Sequence, residues 1–134
     1  SVESVLAHIL FSVPAIKGLE FGSGFGIAEM LGSEANDSYY YDGDQIKTRT
    51  NHNGGILGGI TDGMPIIYKV AIKPPASITK LQQTINIEDK TDAELSVEGR
   101  HDPIIVPRAI PVLEAVTAIA ILDLLLDSKF YKYD

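Results

Sequence analysis

The run from Ala109 to Leu126 restricts the fold more than any other feature, because almost every residue in it is apolar. A helix that is apolar all round must be buried, either inside a protein or in a membrane. The run contains Glu114 and Asp123, and each acid costs roughly 2.5 to 3.5 kcal/mol at the centre of a bilayer. Pro111 interrupts the span as well. We therefore predict a buried protein helix and no membrane partner.

The rest of the chain predicts one more long helix and several short strands. Residues 2–11 repeat apolar side chains at three- and four-residue spacing, which predicts a helix that ends before Pro14. Residues 32–53 are polar, have no period and predict a long loop. Strand patterns lie at 15–21, 64–73, 84–88 and 93–97, and a short helix is predicted at 25–31. This mixture predicts an α+β fold, with antiparallel strands packed on the buried C-terminal helix.

Composition excludes several classes of function. A chain of 134 residues with 45% apolar residues has the size of one domain. Its formal charge of −7 opposes broad binding to nucleic-acid phosphates. It has no cysteine, so disulfides, thiolate nucleophiles and zinc–cysteine clusters are excluded. We predict a cytoplasmic protein with no nucleic-acid partner and no metal.

A glycine-rich segment is the first candidate ligand site. Gly54, Gly55, Gly58 and Gly59 follow Asn51-His52-Asn53, so the backbone can approach a planar ring or an anion without interference from a Cβ atom. The spacing matches neither a Walker loop nor the dinucleotide fingerprint. A tight turn or close packing is the structural alternative.

A stiff corner follows the second predicted strand. Lys73 precedes two prolines, and the segment continues through Ala76 and Ser77. The restricted backbone presents the ammonium group in few conformations, which suits a phosphate. A solvated lysine at the end of a strand is the alternative.

The segment Gly99 to Pro103 holds the densest group of reactive side chains. Arg100 can bind an oxyanion through two donors, His101 titrates near neutrality and Asp102 can accept a proton. On a strand, Arg100 and Asp102 would share one face and His101 would lie opposite, unless the backbone turns there. A surface turn held by an ion pair is the alternative.

The order of these motifs resembles the chorismate synthase family over nearly the whole chain. The matching segments are FSVPAIKGLEFGSGF (11–25), GSEANDS (32–38), TNHNGGILGGITDG (50–63), KPPASI (73–78), EGRHDP (98–103) and PRAIPVLEAVTAIAILD (107–123). The resemblance implies a lyase of the shikimate pathway, which supplies aromatic amino acids. Such an enzyme converts 5-enolpyruvylshikimate 3-phosphate to chorismate by 1,4-elimination of phosphate, and it uses reduced FMN without net redox change.

The resemblance also assigns roles to individual residues. Asp102 matches an acid placed close to the flavin, where it would assist proton removal beside the guanidinium of Arg100. Pro75 stands where the family usually has Thr, and Pro14 lacks an amide donor, so those two contacts differ from the family pattern. The implied flavin contacts are Pro14, Ala15, Gly58, Lys73, Pro74, Pro75, Ala76, Ser77 and Arg100.

Family members are far longer than this chain. The resemblance therefore implies that residues 1–134 are the C-terminal part of a larger β-α-β sandwich, and that the absent N-terminal part carries the groups that bind substrate phosphate. It further associates the chain with NADP and with a homotetramer. Alone, the chain is expected to be catalytically incomplete. The alternative is a standalone flavin- or phosphate-binding module without catalysis.

Overall fold

The computed structural model describes residues 1–130. Within this range the helices are α1 (Val2–Phe11), a 3₁₀ helix (Gly24–Glu29), α2 (Gly32–Ala35) and α3 (Val106–Phe130). The strands are β1 (Ile16–Phe21), β2 (Tyr39–Asp42), β3 (Gln45–Thr48), β4 (Ile56–Leu57), β5 (Ile60–Thr61), β6 (Tyr68–Ile72), β7 (Gln82–Asn86) and β8 (Thr91–Leu95). All of the strands therefore lie between one helix of moderate length and one long helix.

Every strand pair in the described range is antiparallel, and each sheet has two strands. Three of the sheets, β2–β3, β4–β5 and β7–β8, are local hairpins. The fourth joins β1 to β6 across a long stretch of sequence, with Phe21 opposite Tyr68 and a bulge between Ile16 and Gly18. The predicted α+β class with antiparallel strands and a C-terminal helix is confirmed.

The core forms where α1, α3 and the β4–β5 hairpin meet. Leu6, Leu10, Ile56 and Ala120 are its buried members. Leu6 and Leu10 are one helical turn apart on α1, which is the spacing that predicted this helix. The hydroxyls of Tyr68 on β6 and Thr117 on α3 are 2.7 Å apart, which links the β1–β6 sheet to the long helix.

The long helix differs from the expectation of burial on all sides. Leu113, Val116 and Ala120 face the core at helical spacing, whereas Ile119 and Leu122 on the other face are 60% and 57% exposed. It packs mainly on α1, and among the described residues Tyr68 on β6 also contacts it. The helix therefore has two apolar faces. One packs against the core, and the other has no partner within the described residues.

Among the described residues, Val106–Lys129 is long and apolar enough to cross a membrane by length and composition. The core helices of soluble proteins satisfy the same criterion, so one such helix does not by itself indicate a membrane span. Here 11% of its most apolar stretch is buried within this chain.

The prediction of a long loop over residues 32–53 is wrong in its middle. Residues 39–48 form the β2–β3 hairpin, in which Tyr41 pairs with Ile46. Gly43, at the first central position of the two-residue turn, has φ 62° and supplies the positive φ that such turns need. Elsewhere the differences are smaller: residues 64–67 precede β6 without joining it, and β7 and β8 each begin two residues earlier than predicted.

Candidate functional site

The corner at residues 73–77 and the loop at 99–103 face each other across one cavity of about 480 Å³. Strand β6 ends just before Lys73, and the β7–β8 hairpin returns the chain to the same place. The hydroxyl of Ser96 donates to the carbonyl of Thr79 at 2.8 Å and holds the return. The cavity is lined by Pro74, Pro75, Ile78, Thr79, Gly99, His101, Asp102 and Pro103.

Pro14 and Ala15 lie at the same corner. The backbone amide of Lys73 donates to the carbonyl of Ala15 at 2.7 Å. Ala15 has φ 71°, a left-handed conformation that costs energy for any residue with a Cβ atom. The next residue, Ile16, begins β1 directly opposite Ile72, so this left-handed residue leads straight into the β1–β6 pairing. The structure therefore brings together two of the segments that the sequence separates widely.

Gly58 lies elsewhere in this chain. It occupies the two-residue turn of the β4–β5 hairpin with Gly59, and their φ values of 61° and 86° suit a type I′ turn. The carbonyl of Gly59 accepts from the amide of Val2 at 2.9 Å, at the start of α1. Ala15 follows the other end of α1, and a ten-residue helix is about 15 Å long. Gly58 is therefore separated from the corner by roughly the length of that helix.

The two cations predicted to bind flavin are both available. Lys73 and Arg100 are exposed, and neither side chain forms an ion pair or a side-chain hydrogen bond within residues 1–130. Ser77 is exposed on the same corner. Neither cation lines the cavity, but each adjoins a lining residue in the sequence: Lys73 precedes Pro74, and Arg100 lies between Gly99 and His101.

Asp102 pairs with a different arginine from the one expected. Its Oδ1 accepts from Arg108 at the start of α3, at 2.8 Å, and not from Arg100. The expected strand alternation does not apply, because the backbone turns at Gly99, whose φ is 137°. His101 and Asp102 consequently line the same cavity. The ring nitrogen Nε2 of His101 donates to the carbonyl of Val97 at 2.9 Å.

Asp37 organises the glycine-rich segment, and sequence reasoning missed it. Its side chain is 4% exposed. Its Oδ1 accepts from the Thr50 hydroxyl at 2.7 Å and the His52 amide at 2.8 Å, and its Oδ2 accepts from the amide and side chain of Asn53 at 2.9 and 2.8 Å. Burial raises the pKa of Asp37, but these hydrogen bonds outweigh it and lower the pKa to about 2.

A second close approach joins the glycine-rich segment to the turn before the 3₁₀ helix. The Ser23 hydroxyl lies 2.9 Å from Nδ1 of His52, and the Ser23 amide donates to the His52 carbonyl at 2.8 Å. A Cβ atom on Gly22 would lie 2.0 Å from that carbonyl oxygen, so only glycine fits there. A Cβ atom on Gly54 would likewise lie 2.5 Å from the amide nitrogen of Gly22, so the two segments approach closely only because both positions are glycine.

Fold and site together define an α+β domain whose candidate ligand cavity is walled by prolines and flanked by two exposed cations. Residues 1–126 match the family model described as chorismate synthase. The chain belongs to the chorismate synthase family. That match includes most of α3, so the long apolar helix is part of the family's domain.

Named relatives agree with the family match. The chain is 54% identical over 126 residues to the chorismate synthase of Methanococcus aeolicus, a match that covers 93% of this chain and 34% of that protein. It is 52% identical to the Methanocaldococcus jannaschii protein, with coverage of 93% and 33%. A solved structure titled Crystal Structure of Chorismate Synthase superposes with a TM-score of 0.72 at 32% identity, covering 95% of this chain and 31% of that one. The chain thus spans about a third of the length of these relatives.

Proposed function

We propose that this chain contributes the flavin-contacting part of a lyase that converts 5-enolpyruvylshikimate 3-phosphate to chorismate. Family membership supports the reaction class. The observation that carries the proposal to this chain is the meeting of the corner at residues 73–77 and the 99–103 loop at one cavity, with Ala15 bonded to the start of that corner. These segments are far apart in sequence, and the resemblance to the family assigns residues of each of them to the flavin.

The cavity fits part of FMN. A flat ring needs apolar walls, and Pro74, Pro75 and Pro103 supply them. A phosphate needs cations, and we assign that role to the exposed Lys73 and Arg100, which adjoin the lining residues in the sequence. Ser77 offers a hydroxyl, whereas Pro75 offers none. Reduced FMN, when bound, supplies electron density transiently to carbon–oxygen cleavage. With Gly58 about one helix length away, we infer that residues outside this corner complete the flavin site.

Asp102 is proposed as the residue that accepts the ring proton of the substrate. One carboxylate oxygen, Oδ1, is held by Arg108, while Oδ2 makes no hydrogen bond within the described residues. The side chain is 45% exposed and borders the cavity. Arg108 therefore orients the carboxylate and leaves one oxygen for the proton.

The remainder of the family protein is the proposed partner. The exposed face of α3 carries more large apolar side chains than a solvated helix keeps uncovered, including Ile119, Leu122 and Leu125. The matched relatives are about three times as long as the segment that this chain matches. We infer that the preceding part of the family domain covers this face, within a cytoplasmic, homotetrameric enzyme. No described contact favours a standalone binding module.

A chimaera tests the proposal. Residues 1–126 of this chain would replace the matching segment of the Methanococcus aeolicus protein, with that unaltered protein as control. We expect the chimaera to consume 5-enolpyruvylshikimate 3-phosphate with reduced FMN under anaerobic conditions, and the isolated chain to be inactive. A folded chimaera that lacks activity beside an active parent would contradict the proposal.

A further inference from the structure

The starting observation is the isolation of the Asp37 carboxylate from water together with the use of both of its oxygens. Four donors converge on it from Thr50, His52 and Asn53. No cation pairs with it among the described residues. Its charge is therefore stabilised by hydrogen bonds alone, and those bonds fix the chain at the entry to the glycine-rich segment.

Further hydrogen bonds connect this entry to the β4–β5 hairpin, whose turn carries Gly58. The side chain of Asn51 accepts from the amide of Gly55 at 2.7 Å and donates to the carbonyl of Pro65 at 2.9 Å. The carbonyl of Gly55 accepts from Asp62 at 3.2 Å, beyond the hairpin, and Val2 holds the far side of the turn through Gly59. The hairpin that carries Gly58 is thus held on both sides. Asp37 holds residues 50–53, which lead into the hairpin, and Val2 holds Gly59 at its turn.

We propose that Asp37 is a positioning residue, which acts through residues 50–55 to place Gly58 for contact with the flavin. This inference rests on the proposed function. An ionised carboxylate is required because it can accept at both oxygens, whereas an asparagine amide would place its own N–H groups against the donors of Asn53.

Asp37→Asn in the chimaera is the direct test. Binding of reduced FMN is measured by titration, and the KM for 5-enolpyruvylshikimate 3-phosphate is measured at saturating flavin, both well below the melting temperature. We expect flavin affinity to fall at least tenfold and substrate KM to stay within twofold. Hydrogen exchange should quicken at the amides of residues 52–59. A general loss of structure would instead move both affinities together.

Two further variants keep the test decisive if Asp37→Asn does not fold. Thr50→Val removes one of the four donors and leaves the carboxylate in place, so it should weaken flavin binding by less than Asp37→Asn does. Asp42→Asn is the matched control, because it removes an exposed carboxylate of the neighbouring hairpin and should change neither affinity.

The two hypotheses fail differently. A chimaera that is inactive before any substitution rejects the proposed function. Normal flavin affinity in both Asp37→Asn and Thr50→Val, in an active chimaera, rejects the positioning role of Asp37 and leaves the proposed function standing. Equal losses of flavin and substrate affinity in folded Asp37→Asn also reject it.

Discussion

The amide of Lys73 donates to the carbonyl of Ala15 at 2.7 Å, so the lysine at the corner is bonded directly to a residue with a left-handed backbone. The bond extends the β1–β6 ladder by one step beyond Ile16 and Ile72. Ala15 therefore lies between two fixed points: the strand pairing that begins at Ile16 and the hydrogen bond to Lys73 at the corner.

Ala15→Val should destabilise the protein. A β-branched residue at φ 71° is far less tolerated than alanine, and we expect a loss of about 2 kcal/mol in the free energy of unfolding. Urea denaturation of the chimaera measures it. Ala93→Val on strand β8 is the control, because valine suits a strand there. Equal effects in both variants would show that the conformation at position 15 is unimportant.

Lys73→Ala and Arg100→Ala should each weaken binding of reduced FMN, on the order of tenfold, because each removes an unpaired cation beside the cavity. The Lys73 contribution should fall more steeply with added salt if that lysine meets the phosphate. Fluorescence titration of the chimaera at two ionic strengths tests this. Lys90→Ala, at the exposed turn between β7 and β8, is the control. Unchanged affinity in both site variants would exclude the corner from the flavin site.

Asp102→Asn should lower turnover by about a hundredfold while flavin and substrate affinities stay nearly constant, because asparagine keeps the size of the side chain and cannot accept the proton. Steady-state kinetics of the chimaera measure both. Asp89→Asn, in the β7–β8 turn, is the control. Lower stability with normal turnover would instead mean that Asp102 only anchors Arg108.

Asp37 should make stability depend on acid pH. Its pKa is lowered from 3.8 to about 2 in the folded state, so its contribution is fully present above pH 4 and is lost as the pH falls towards 2. The shift corresponds to about 2 kcal/mol. The difference in unfolding free energy between wild type and Asp37→Asn should therefore shrink between pH 5 and pH 2. A constant difference would exclude titration of this carboxyl.

The exposed face of α3 should matter only in the assembled protein. Leu122→Glu should destabilise the chimaera by about 3 kcal/mol or more, because it buries an unpaired charge against the remainder of the domain. The same change in the isolated chain, where Leu122 is 57% exposed, should have little effect. Leu126→Glu provides a second position on this face, and melting temperatures measured in both proteins make the comparison. Equal effects in the two settings would place the partner elsewhere.

Sequence patterns predicted what short-range periodicity encodes. Helix α1 was placed correctly because Leu6 and Leu10 repeat at helical spacing, and the presence of α3 followed from its apolar run. The exposure of Ile119 could not be predicted, because an apolar run does not say which of its faces finds a partner within the chain. The β2–β3 hairpin was missed although Gly43-Asp44 at its turn is a hairpin signal, since its strands are polar and aromatic and show no alternation.

The candidate site was predicted in part. The motifs identified the corner and the 99–103 loop, whose meeting at one cavity depends on the β7–β8 hairpin. The choice of Arg108 over Arg100 as partner of Asp102 depends on the turn at Gly99, which no periodicity reveals. Asp37 was overlooked because its donors lie 13 to 16 positions away in the chain, and a single aspartate in a polar stretch carries no sign of them.

The pairing of β1 with β6 has a consequence for how this segment tolerates changes in length. That pairing holds Ala15 and Lys73 in place. The β2–β3 turn lies in the long segment of chain between β1 and β6. A Cβ atom on Gly43 would meet nothing within 4 Å, so extra residues at this turn have open space around them. Because doubling the length of a flexible loop costs only about 0.6 kcal/mol, the turn can grow while the corner keeps its geometry. Among proteins of this family, insertions are therefore expected at the turn of the β2–β3 hairpin and not at the corner itself.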